Sequence, residues 1–343
     1  MMTQFACPVC KGYRWIPSGT FRYAARDHQL GGRCYANSYV QLRRRVLFEV
    51  WFPDSKQVEL KTQYCDECGF MCYTPRPDAR DVDLKYAFLK EREVNIGAQH
   101  RLSERGVQMD RKRARRVFRE IKRRKLGMGK SVLDIGGGDG KLLFPFIDDQ
   151  WDCYLVDHNP NPRPGITRLG ATVVDVPVET TFDVIICSHV IEHLADPVSF
   201  LESMKRLMRP EGIAYLEVPL EIWKQIPIAE EPVTHINFFT AASFANLLNE
   251  AKFKAIRINS IVGSYGGTRL EVVWAVAGPV AEAISVRAVG AAATAARLDP
   301  GPIRKLIRVL FVETRLSGSV RPVVGLFRQA WTRLFARPRI RET

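Results

Sequence analysis

In the stretch SVLDIGGGDGKLL (131–143), Asp134 ends an apolar β-type run, and Gly136, Gly138 and Gly140 follow it on alternate positions. A strand, a glycine turn and a helix start offer free amide groups to polar or anionic ligand atoms. Two nucleotide readings fail on spacing. A dinucleotide fingerprint counted from Gly136 needs glycine where Lys141 stands, and a P-loop needs a hydroxyl residue where Leu142 stands. A second constellation is Cys7-Pro-Val-Cys10 with Cys65-Asp-Glu-Cys68, two C-x-x-C knuckles that can close four thiolates around one tetrahedral Zn2+. Such a shell is structural, because it leaves no position for water. The third, His189-Val-Ile-Glu192-His193, has the H-x-x-E-H spacing of a zinc peptidase. That motif needs both histidines inside a helix, whereas His189 follows directly on the apolar run FDVIICS, in a turn.

The carboxylate with alternate glycines resembles motif I of the class I S-adenosylmethionine-dependent methyltransferases. The resemblance implies S-adenosylmethionine as cofactor, with the Asp134 carboxylate near its ammonium group and the bare backbone of Gly136, Gly138 and Gly140 against its ribose and tail. Nineteen residues past Gly138 the run CYLVD ends in Asp157, where a Rossmann-type fold places an acid to accept both ribose hydroxyls. By the same resemblance Asp175 in TVVDV reaches the adenine amino group, Ser188 and His189 line the cofactor, and Glu192 and His193 look toward the acceptor. His235, in THINFFTAASFANLLNEAKF, lies in a stretch similar to the H-x-N-F-F-T of many bacterial members. An alcohol acceptor is a poor nucleophile until a base takes its proton, and His193 and His235 are the two candidate bases. The plain reading of the second segment is a helix entry with Thr240 as N-cap. CDECGFMCYTPRP also resembles the end of the zinc-binding N-terminal module of a bacterial methyltransferase group that acts on sugars and other small hydroxylated metabolites. It implies O-methylation of a small-molecule or glycan acceptor. No second domain of the kind found in the sugar C-methyltransferases is expected, only the basic tail, which argues against C-methylation.

These residues need a scaffold. The runs SVLDIG, CYLVD, TVVDV, FDVIICS, GIAYLEV, AIRINSIV and LEVVWAVAG alternate with helical segments. They predict an α/β, Rossmann-like sheet of seven mostly parallel strands with helices on both faces. The glycine-bearing GSYGGTR makes the last two a hairpin, so the final strand runs antiparallel. Residues 1–78 read as a small zinc-binding β module, with RVLFEVWF (45–52) and VELKTQYC (58–65) as strands. Residues 79–126 read as a helical linker with Val117, Phe118 and Ile121 in one apolar stripe. Residues 127–278 form the cofactor domain, and 279–343 a basic helical tail broken by Pro302, Pro322 and Pro338.

With 46% hydrophobic residues the chain is globular, and with neither a signal-peptide pattern nor an uncharged membrane-length run it is expected in the cytoplasm. Of eight cysteines, Cys34 and Cys72 are spare thiols beside the knuckles, and Cys153 and Cys187 read as buried small hydrophobes. The net charge of +14 concentrates in RKRARRVFREIKRRK (111–125) and in the last 43 residues. The first run reads either as a phosphate- or nucleic-acid-binding block or as a solvated helix face. The tail pairs apolar and cationic faces at helical spacing. It either docks on the protein itself or lies peripherally on an anionic membrane at the inner face. An RNA or protein methyltransferase, and a non-catalytic zinc-stapled scaffold, are the competing functions. Nucleic acid is disfavoured because the basic runs have little interleaved aromatic surface for stacking and FDVIICS is followed by no N-P-P-Y-type tetrapeptide. The sequence carries no sign of oligomeric state.

Overall fold

Val58, Leu60 and Thr62 are buried at alternate positions, so VELKTQYC lies with one face on a core, as strand β2 (Gln57–Cys65). It pairs antiparallel with β1 (Trp15–Ala24) and β3 (Met71–Thr74) in a three-stranded sheet. The computed structural model describes residues 5–25, 38–93, 104–124, 129–159, 161–221, 232–265, 268–282 and 287–299, which belong to one compact unit, Met1–Asp299. The tail beyond 300 and Cys34 lie outside the described residues. The run 45–52, expected as a strand, is instead the end of helix α1 (Ser38–Val46) continuing into a π turn at Leu47–Trp51. Val46, Leu47 and Phe48 are buried consecutively there, so tertiary packing overrides their β propensity. Helices α2 (Ala79–Glu93) and α3 (Glu104–Lys122) follow, and α3 buries Ala114, Val117 and Ile121 along the expected stripe.

The larger sheet contains β4 (Ser131–Ile135), β5 (Asp152–Val156), β6 (Ile166–Gly170), β7 (Phe182–Ser188), β8 (Met208–Pro219), β9 (Phe253–Tyr265) and β10 (Thr268–Pro279) in the order β6-β5-β4-β7-β8-β10-β9. The first five strands are parallel, and β10 inserts antiparallel between β8 and β9. The third strand is ITRLG, not TVVDV. Val173–Asp175 is a 3-10 turn, closed where the Asp175 carboxylate accepts from the amides of Ala171 and Thr172 at 2.8 Å each. Strand β7 is buried at every position, as a parallel strand covered on both faces must be. Leu133, Ile185, Leu216 and Val218 share a core with Leu60, Phe70 and Phe244 on one side. Val132, Val184 and Ile186 share the other with Val117, Ile121, Phe146 and Trp274. Helices α4 (Phe144–Asp148), α5 (Pro197–Lys205), α6 (Ala241–Glu250) and α7 (Arg287–Leu298) complete the described elements. Thr240 caps α6 in a reciprocal box with Ser243, as the plain reading of that segment expects. Among the described residues no helix is long and apolar enough to cross a membrane.

Candidate functional site

The carboxyl ends of β4, β5 and β7 adjoin one another, and the glycine turn leaves β4 with Gly136 at φ 69° and Gly138 at φ 64°. A side chain at Gly136 would strike Val190 at 2.4 Å, whereas one at Gly138 would meet nothing within 4 Å. The turn therefore faces open space at Gly138, room that a ligand's ribose and tail can fill. Beneath it Asp134 is fully buried, both carboxylate oxygens lack a hydrogen-bond partner among the described residues, and burial pushes its pKa up to about 8. A buried orphan carboxylate is costly unless a cation meets it, and the ammonium of S-adenosylmethionine is such a cation. Asp157 accepts from the amides of Gly138 at 2.8 Å and Asn159 at 2.7 Å, so it fixes the glycine turn from the tip of β5. Each oxygen keeps a second lone pair for a hydroxyl. Gly140, at φ 82°, caps the next turn. Asp175 is exposed and spends one oxygen on its own turn, a local capping job.

Ser188 and His189, expected to line the cofactor, are tied into a buried polar network centred on Glu217. This carboxylate receives Arg113 at 2.7 Å, Arg116 at 2.7 Å, the Tyr215 hydroxyl at 2.7 Å and the Ser188 hydroxyl at 3.0 Å. Burial alone would raise the Glu217 pKa, but Arg113, His189 and Arg116 hold it well below the usual carboxylate range. His189 sits at φ 59° with its ring between Glu192 and Glu217, at 3.3 and 3.5 Å. Burial lowers its pKa and those two carboxylates more than restore it, so the net shift is upward.

The next turn, Ile191–His193, is a single 3-10 turn rather than a long helix, which removes the zinc-peptidase geometry. It brings Glu192 and His193 against His235, whose ring centroid lies 4.9 Å from that of His193. Backbone contacts fix the meeting: the amides of Ile236 and Asn237 donate to the Glu192 carbonyl at 3.0 and 3.1 Å. His193 Nδ1 lies 2.7 Å from the Thr234 carbonyl, and His235 Nδ1 lies 2.5 Å from Glu221 Oε2. Burial drives the His193 pKa down to about 3, so its ring is neutral at ordinary pH. The N-terminal module holds this segment from the other side. Arg76 donates to the carbonyls of Ile236 and Ala195 and to Asn237 Oδ1, Tyr73 donates to the Pro232 carbonyl at 2.7 Å, and Arg43 donates to the Thr234 hydroxyl.

Cys7, Cys10, Cys65 and Cys68 come together, with sulfurs all within 4.8 Å and pairs at 3.6 Å (Cys7–Cys68) and 3.5 Å (Cys10–Cys65). Four soft donors at this spacing suit a tetrahedral metal of the zinc type. Cys72 stands apart from the cluster, its thiol pushed up to about 12 by burial. Cys153 and Cys187 are buried in their strands, as expected.

Arg113, Arg116, Glu217 and Glu221 were not legible as site residues. An acid inside the apolar run GIAYLEV was the available signal: a buried carboxylate requires a cationic partner, and the 111–125 run held a dense set of unassigned cations. That run is therefore neither wholly solvated nor wholly a phosphate block, since two of its arginines turn inward.

The inserted antiparallel strand, the glycine turn after β4 and the acid at the tip of β5 define the Rossmann-like methyltransferase fold, whose ligands lie at the carboxyl ends of the strands. Residues 109–258 match the family model of the methyltransferase domain. The ubiquinone biosynthesis O-methyltransferase of Haemophilus ducreyi is 30% identical over 105 residues, covering 26% of this chain and 44% of its own. The protein of the same name from Actinobacillus pleuropneumoniae serotype 7 is 27% identical over 173 residues, 43% of this chain and 74% of its own. The chain thus spans less than half the length of the first of these relatives. A solved glycopeptide N-methyltransferase in complex with S-adenosylmethionine aligns at 17% identity and a TM-score of 0.37, over 49% of this chain and 87% of that one.

Proposed function

We propose that the protein transfers a methyl group from S-adenosylmethionine to an oxygen of a small hydroxylated or glycan acceptor. The observation that carries the reading is the buried carboxylate of Asp134, without a hydrogen-bond partner among the described residues, under a glycine turn that opens onto space at Gly138. When bound, S-adenosylmethionine supplies an electrophilic methyl group on a sulfonium. Asp134 answers the ammonium, and Asp157 holds the turn while accepting from the ribose. The Glu217 network braces the ends of β7 and β8 and with them the turn that presents Glu192 and His193. The acceptor hydroxyl gives up its proton at the face made by Glu192, His193 and His235. The four cysteines hold one Zn2+ in a closed shell that staples the N-terminal module and takes no part in the chemistry. The test is calorimetric titration with S-adenosylmethionine, followed by a screen of hydroxylated metabolites and glycans for labelled methyl transfer. Absence of cofactor binding by zinc-loaded protein defeats the proposal.

A further inference from the structure

Glu192 has no exposed surface, and its carboxylate oxygens make no well-aligned hydrogen bond among the described residues, with His189 as an ion-pair partner. Its Oε1 is ringed by imidazole nitrogens: His189 Nδ1 at 3.3 Å, His193 Nε2 at 3.8 Å and His235 Nε2 at 3.9 Å. The last two separations are too long for hydrogen bonds. Two donors bound to one ion at about 2.1 Å stand roughly 3.0–3.4 Å apart at the angles metals prefer; the three ligand atoms already lie within 4.8 Å of one another, and a contraction of about half an ångström brings each imidazole nitrogen to that separation from the carboxylate. The second nitrogen of each histidine is already committed, His193 Nδ1 to the Thr234 carbonyl at 2.7 Å and His235 Nδ1 to Glu221 at 2.5 Å. Metal-binding histidines are oriented in this way, by a carbonyl or carboxylate on the far nitrogen. The cluster is also built to stay in place: Asn237 Nδ2 donates to the carbonyls of Ile191 and Leu194 at 2.8 Å each, locking the two segments together. The two imidazole side chains are 19% and 20% exposed, which leaves a route from solvent.

We propose that Glu192 Oε1, His193 Nε2 and His235 Nε2 bind one divalent transition-metal ion, with Glu221 and the Thr234 carbonyl setting the imidazoles. The H-x-x-E-H spacing supplies only two of these ligands, and His189 remains between Glu192 and Glu217. Two imidazoles and one carboxylate leave further positions open on the ion. They fit an acceptor with two adjacent oxygens, such as a vicinal diol or a hydroxy acid. This extension rests on reading the cluster as the acceptor side of a methyltransferase. On the ion a hydroxyl is acidified and its proton leaves to water. The freed oxygen pair forms the new bond to the methyl carbon, and the carbon–sulfur pair stays on sulfur, giving a neutral thioether.

The test uses the full chain with its cysteine site already loaded with zinc, titrated with Co2+ and followed by calorimetry and visible absorption. One further equivalent per chain is expected, without a thiolate charge-transfer band. Glu192→Gln and His235→Ala should each weaken it by about 100-fold, and Glu221→Gln by about 10–100-fold, with S-adenosylmethionine affinity unchanged. No second equivalent at millimolar Co2+ overturns the site, and so does wild-type affinity in Glu192→Gln or, should that variant not fold, in Glu221→Gln. S-adenosylmethionine titrated into the same samples separates the two proposals: Co2+ binding without cofactor binding supports the metal site and refutes the methyl-donor reading.

Discussion

Replacing Asp134 by asparagine keeps the shape of a fully buried side chain and removes its charge. Burial raises the Asp134 pKa from 3.8 to about 8, against the opposing pull of Arg113. Between those values the folded chain holds a proton that the unfolded chain has released. Stability therefore falls as pH climbs from about 4 toward 8, and levels off above. About nine-tenths of folded molecules carry that proton at pH 7 and about one-tenth at pH 9, so the wild type should lose roughly 1–2 kcal/mol across that interval relative to Asp134→Asn. Urea unfolding of both proteins at the two pH values measures the difference. The same proton reports on the ligand, because an ammonium facing Asp134 must expel it. Calorimetry at pH 7 in two buffers of unlike ionisation enthalpy should count nearly one proton released per S-adenosylmethionine bound by the wild type. Asp134→Asn should release none and bind at least about tenfold more weakly. Parallel pH slopes in the two proteins, or undiminished cofactor affinity in the variant, would refute the reasoning.

Asp157→Ala frees the amides of Gly138 and Asn159 and should lower S-adenosylmethionine affinity at least about tenfold, as read by the same calorimetry. Cys65→Ser should lower bound zinc from one per chain and expose the N-terminal sheet to protease while cofactor affinity persists; equal zinc content would overturn the four-cysteine shell. Arg113→Met leaves Glu217 buried with fewer cations, and should cost about 3 kcal/mol in a denaturant titration, at the low end for a buried pair because Arg116 still reaches the carboxylate. His235→Ala should lower turnover by about 10²–10⁴ with cofactor binding retained, and near-wild-type turnover would remove His235 from the acceptor side.

The glycine turn and the acid at the tip of β5 were legible because their chemistry is local: alternating glycines and a fixed interval to Asp157 are properties of the chain itself. TVVDV misled because three valines and a threonine satisfy a strand pattern, yet the Asp175 carboxylate captures the preceding amides and folds the segment into a turn. The strand formed instead by ITRLG holds an arginine, Arg168, whose guanidinium reaches the Asp157 carbonyl at 2.9 Å, a long-range purpose that no window of sequence displays. RVLFEVWF erred in the same way, its pattern being compatible with a helix once three consecutive residues are buried. Arg113 and Glu217 are 104 residues apart, and only the sheet order shows that the basic helix and the acid in β8 face each other.

The segment carrying His235 is held by Tyr73, Arg76 and Lys85, partners separated from it by 159, 160 and 148 residues of chain. The glycine turn and Asp157 are 19 residues apart. Closing short loops is fast and closing long ones is slow. During synthesis, then, the glycine turn can meet Asp157 soon after β5 emerges, while residues 232–237 must return to a module made far earlier. A chain that stops before residue 232 therefore holds both partners of the first contact and only one side of the second.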